Sequence, residues 1–125
     1  MSSPNSVAAN NPTSPRLRGT KKVFEKLKNK ILGKKYELSL VFCKNALSRK
    51  LNRTYRGKDK PTNVLAFPLS KNSGEIFINT SKLEGFSTLH LFIHGALHLK
   101  GMKHGSRMSE AEQKLLHVSP NRSRN

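Results

Sequence analysis

His94 and His98 stand four residues apart in the run HGALHLKGMKHG, and His104 follows six residues later. On a helix, that spacing sends the first two imidazoles off the same face one turn apart, with Cβ atoms about 5–6 Å from each other. Two imidazoles so placed can converge on one ion at a Zn–N distance of about 2.0–2.1 Å. Gly101 lets the chain turn after the helix, so that His104 can come back as a third ligand. Three neutral imidazoles leave a fourth position for water, which is how a catalytic rather than a structural zinc is held. Water in that position would be acidified towards neutrality and would serve as a nucleophile. One zinc ion on His94, His98 and His104 is therefore the expected cofactor, imidazole being a ligand that suits zinc.

Four of the five histidines of the chain fall between His90 and His104. His90 precedes His94 by four residues and competes for the same role. A helix rises about 1.5 Å per residue, which puts His90 and His98 about 12 Å apart along the axis, too far to share an ion. His90 is accordingly read as structural or as a polar neighbour, and His117 as a surface residue. The spacing H-x-x-x-H-x-x-G-x-x-H also occurs in metzincin proteases, where a Glu after the first His is the general base. Here that position is Gly95. A peptidase without this carboxylate would lack its proton acceptor.

These residues need a frame to hold them. Residues 1–19 are rich in Ser, Pro and Asn without periodicity and read as a disordered tail, as do residues 118–125. Residues 20–117 are expected to form a single domain. From Lys21, Val23, Phe24, Leu27 and Ile31 share one helical face, and Gly33 is a suitable stop. YELSLVFC reads as a strand with at least one buried face. Asn45 is placed to cap a short helix through Leu51, and YRGKDKPT reads as a loop. NVLAFPL and GEIFIN, separated by Ser70–Ser73, suggest an antiparallel hairpin, with Pro68 at the end or edge of its strand. Ser87 is placed to cap a helix from Thr88 to about Lys100, ended by Gly101. Ser109 and Glu112 fit a capping box for a last helix over 110–117. The expected fold is α/β of the α+β layer kind: a small mixed sheet packed with helices, one of which carries the metal-binding histidines.

The chain has 125 residues, 24 Lys and Arg against 7 Asp and Glu, and a formal net charge of +17. Residues 1–60 hold 16 of the basic groups and 3 of the acidic ones. Such an excess calls for a polyanionic partner, nucleic acid first. Arg56, Lys58 and Lys60 form a basic stretch that could grip phosphate oxygens, and a planar guanidinium suits a phosphate better than an ammonium does. Asp59 could orient Arg56 or a water, and Asn63 could bond near the site or serve the turn. Cys43 is the single cysteine, so no intrachain disulfide is expected, and it reads as a small buried hydrophobe. The N-terminus lacks the pattern of a secretory signal, and no apolar run is long enough for a membrane span. The expectation is a cytoplasmic protein with no membrane partner.

HGALHLKGMKHG, with LNRTYRGKDKPTNVLAFPL upstream and GEIFI between them, resembles the YbeY family of bacterial rRNA-maturation endoribonucleases. The likeness covers about residues 21–117 and is strongest at 51–79 and 89–105. It implies an α/β fold with zinc on His94, His98 and His104. It also implies single-strand-specific RNA cleavage linked to 16S rRNA 3′-end maturation and ribosome quality control, with ribosomal small-subunit proteins as partners. Arg56 corresponds to the family's arginine and is implied to be catalytic, with Lys58 and Lys60 beside it on the substrate. Three departures stand out: Lys103 where members usually have Asp, no strand before the first helix, and a short segment between Asn79 and Ser87. They keep a second reading open, a non-catalytic ribosome-associated RNA-binding protein whose metal braces the fold.

Overall fold

The computed structural model describes residues 17–117, so most of the expected N-terminal tail and the whole of 118–125 lie outside the described residues. Four helices and three strands follow in the order α1 (Leu17–Leu32), β1 (Glu37–Cys43), α2 (Asn45–Arg56), β2 (Val64–Ser70), β3 (Ser73–Asn79), α3 (Thr88–Leu99) and α4 (Ser106–His117). The first helix starts at Leu17, four residues before the apolar periodicity becomes visible, because a polar turn leaves no periodic mark.

The sheet has the order β1-β3-β2, with β1 parallel and β2 antiparallel to the central β3. It is the mixed sheet and hairpin that the apolar runs predict. Pro68 lies on the edge strand, where the register shifts between Pro68 and Ser70, so its missing N–H interrupts no central ladder. Ile76 and Ile78 of β3 are fully buried beneath α1 and α3, in a core with Phe24, Leu27, Ile31, Phe92, Ile93 and Ala96. Phe24 is the hinge of this packing, with Phe92 at 4.9 Å and Phe42 at 6.1 Å between ring centroids.

β1 departs from a simple amphipathic strand. Ser39, Val41 and Cys43 are buried, more fully than Leu38, Leu40 and Phe42, which pack against the main core. The reason is that helices cover both sides of the sheet, so both faces of β1 are enclosed. Burial also pushes the Cys43 thiol up to about 11, consistent with an inert packing residue.

Two expectations about α2 are corrected. Lys44, not Asn45, holds the N-cap position, and it makes no side-chain cap bond. Asn45 instead accepts a hydrogen bond from Asn79 Nδ2 at 2.9 Å, tying the helix start to the end of β3. The helix also continues through Tyr55 to Arg56, ending at Gly57 in the left-handed region at φ 71°. The loop therefore begins at Gly57, and Arg56 belongs to the last helical turn.

Candidate metal centre

Polar side chains buried under α2 fix the loop that precedes β2. The Ser48 hydroxyl donates to the Thr62 carbonyl at 2.7 Å and accepts from the Thr62 N–H at 2.9 Å. Asn52 Nδ2 donates to the Lys60 carbonyl, and Asn79 Nδ2 to that of Thr62. These bonds replace a secondary-structure ladder along 58–63 and run the loop back along α2, Lys60 beside Asn52 and Thr62 beside Ser48. They were not legible in the sequence, where Ser48 and Asn52 look like surface polar residues of a basic helix.

Ser87 caps α3 as expected, its hydroxyl accepting from the His90 N–H at 2.9 Å, and Gly101 leaves the helix at φ 104°. The turn brings His104 back to His94 and His98, so that one ligand nitrogen from each lies within 4.8 Å of the others. His94 Nδ1 meets Glu112 Oε2 at 2.6 Å, and His98 Nδ1 meets the Met102 carbonyl at 3.1 Å. A carboxylate and a carbonyl only accept, so both Nδ1 atoms carry a proton, and in the neutral imidazole each Nε2 then carries a bare lone pair. Those two Nε2 atoms are 3.2 Å apart. Between two neutral rings of this tautomer neither can donate to the other. The spacing matches the separation of about 3.3 Å that a tetrahedral ion at ordinary Zn–N distances requires. The donor set fits a divalent cation.

Burial lowers the His98 pKa, and the proximity of His94 lowers it further, so both favour the neutral imidazole. For Glu112, burial pushes the carboxyl up, but hydrogen bonds from His90 and His94 outweigh it and hold the group below its ordinary range. His90 takes the polar-neighbour role, its Nε2 donating to Glu112 Oε1 at 3.0 Å. Glu112 was expected in a capping box. It is instead buried in the interior of α4, which already begins at Ser106. The signal for it is a carboxylate set among Met108, Ala111 and Leu115 on the apolar face of that helix.

A cavity of about 470 Å³ opens over the histidines, lined also by Arg56, Thr62, Asn63, Val64 and Ala66. Lys58 and Lys60 are exposed in the following loop and do not line it. Asp59 pairs with Arg49 at 2.8 Å and with Arg53 at 3.3 Å rather than with Arg56. The Arg49 hydrogen bond is the main reason its carboxyl sits below the usual range. Asn63 lines the cavity and donates to Glu84 at 3.4 Å, a partner outside its own turn.

Gly95 has a steric cause. A Cβ there would lie 3.2 Å from Ile76 of β3, where α3 crosses the sheet, so any side chain at this position would press on Ile76. Gly95→Val is expected to destabilise the fold by about 1–3 kcal/mol through overpacking. A urea titration showing an unchanged midpoint would refute this.

Fold and site together define a small α+β protein with a three-imidazole site able to hold a metal ion, open on one side to a cavity with an arginine in its wall. The family model described as Endoribonuclease YbeY matches residues 9–119, and the chain belongs to that family. An Endoribonuclease YbeY from Neorickettsia sennetsu is 34% identical over 130 residues, covering 83% of this chain and 91% of that protein. One from Ehrlichia ruminantium strain Gardel is 42% identical over 82 residues, 54% of this chain and 52% of that protein, so the aligned part spans about half of that relative. The solution structure of a Thermotoga maritima protein superposes with a TM-score of 0.60 at 27% identity, covering 86% of this chain and 83% of the other. Among the described residues no helix is long and apolar enough to cross a membrane.

Proposed function

We propose that this chain is a zinc-dependent endoribonuclease that hydrolyses single-stranded RNA, acting in 16S rRNA 3′-end maturation and ribosome quality control in the cytoplasm. One observation carries the reading: the Nε2 atoms of His94 and His98 lie 3.2 Å apart, and both residues line the cavity that Arg56 also lines. The shared name of the family model and of the relatives supports RNA as the substrate, and ribosomal small-subunit proteins are the proposed partners.

In this reading His94, His98 and His104 hold the ion, which when bound supplies Lewis acidity to the scissile phosphate and its attacking water. Arg56 makes no ion pair among the described residues, so its guanidinium is free to clamp two phosphate oxygens in the cavity. Lys58 and Lys60, outside the cavity, take the phosphates of flanking nucleotides. Glu112 is committed to two histidines, so it orients ligands and does not accept the substrate's proton. Lys103 in place of the family's usual Asp does not empty the outer shell, because Glu112 and the Met102 carbonyl already hold His94 and His98.

The test is cleavage of a labelled single-stranded RNA by metal-stripped, zinc-reloaded and Arg56→Lys protein. Cleavage is expected to return with zinc, and Arg56→Lys is expected to fall by about 10- to 100-fold, since it loses a bidentate charge-assisted contact. Salt-sensitive RNA binding with no cleavage at any zinc concentration would replace the enzyme with an RNA-binding protein braced by a metal.

A further inference from the structure

Tyr55 is 66% exposed, more than any other large hydrophobic side chain among the described residues, yet its ring is not loose. It packs against Phe67 of β2 at 5.2 Å between centroids, and Phe67 in turn meets Phe77 of β3 edge-on at 5.9 Å. Phe67 pairs with Glu75 and so lies on the sheet face opposite Ala66, which lines the metal cavity. The aromatic ladder thus runs from the central strand through the edge strand and ends in a braced, exposed ring.

The helix that bears this ring is cationic, while Glu75 lies beside Phe67 on the sheet. The helix carrying Tyr55 has four basic residues and no acidic one in NALSRKLNRTYR. Asp59, the one acid of the following loop, is taken up by Arg49 and Arg53. The next residue after Tyr55 is Arg56, in the wall of the metal cavity. An exposed aromatic face on a helix whose charged residues are all basic fits a ligand that is both anionic and flat-faced. Protein interfaces are depleted of charge at their centres, which makes a protein partner the poorer fit.

We propose that Tyr55, braced by Phe67, is a stacking platform for a base of single-stranded RNA beside the bond held at Arg56, and so selects unpaired over duplex RNA. This rests on the reading of the chain as an RNA-acting protein. Duplex bases have their faces covered by their neighbours, whereas an unstacked base gains about 1–3 kcal/mol on an aromatic ring whatever its identity.

The chain supplies its own probe. It has two tyrosines and no tryptophan, and Tyr36 is 9% exposed, so a change in tyrosine emission on RNA binding reports Tyr55. The zinc-loaded full chain is titrated with a short single-stranded RNA, the same strand made abasic, and the corresponding duplex. Quenching is expected with the first only. Tyr55→Ala should weaken binding of the base-bearing strand by about 5- to 150-fold and leave the abasic strand unaffected. Tyr55→Phe should bind as the wild type does, since the ring rather than the hydroxyl carries the contact.

Equal loss on the abasic strand, no loss on either strand, or a Tyr55→Phe defect as large as that of alanine would each overturn the platform. Quenching with no cleavage would leave the platform standing and remove the nuclease reading. Cleavage with full-strength binding by Tyr55→Ala would do the reverse. A wild-type chain that binds no RNA overturns both.

Discussion

A His98→Ala chain is expected to retain almost no zinc after dialysis, where the wild type keeps one ion per chain, and to cut no RNA. The geometry makes this the most damaging single change at the site. His98 supplies one of the two bare nitrogens 3.2 Å apart, and its orientation is fixed by the Met102 carbonyl on the turn that delivers His104. Alanine therefore removes one ligand and loosens the approach of another. Loss of an outer partner already costs roughly 10–100-fold in metal affinity, and loss of a ligand should exceed that. His98 is half-buried and is not part of the apolar core, so the metal-free variant should fold.

Thermal melts separate loss of the site from loss of the fold. A ligand that binds only the native state stabilises it by about 2.7 kcal/mol at one hundred times its dissociation constant. The wild-type melting temperature should therefore rise on zinc titration, while that of His98→Ala stays flat near the metal-free wild-type value. Equal zinc content and equal cleavage in the two proteins would remove His98 from the ligand set.

What could be read from the residues alone follows from how local each signal is. His94, His98 and His104 were legible because helix periodicity and one glycine turn relate them within eleven residues. The β2–β3 hairpin was legible for the same reason, two apolar runs joined by a short polar turn. Glu112 was hidden because its partners, His90 and His94, lie on another helix, and Ser109 offered a plausible local partner in their place. Asn45 misled in a similar way: a good capping residue next to a helix start was recruited by Asn79, which is distant in sequence but adjacent in the sheet. The extension of α2 through Arg56 was missed because a polar, basic last turn has no apolar face to show. Local chemistry was readable, and long-range polar pairing was not.

Glu112→Ala is expected to weaken zinc binding by about 10- to 100-fold and to destabilise the metal-free fold by about 1–3 kcal/mol. The carboxylate accepts from His94 Nδ1 at 2.6 Å and from His90 Nε2 at 3.0 Å, so it fixes the tautomer that bares the His94 Nε2. Its negative charge also makes that imidazole a better donor to a cation. Alanine would leave two half-buried ring N–H groups without their carboxylate acceptor, and His94 free to rotate. Glu112→Gln separates the two contributions. Its amide oxygen can still accept from His94, and its NH2 can donate to His90 once that ring takes the other tautomer, so orientation survives while charge is lost. Glutamine should therefore recover most of the stability but only part of the zinc affinity, as read by chelator competition beside a urea melt. If alanine and glutamine both bind zinc as tightly as the wild type, the carboxylate is packing rather than a support for His94. If glutamine is as damaging as alanine in the melt, charge rather than hydrogen bonding holds α4 against α3.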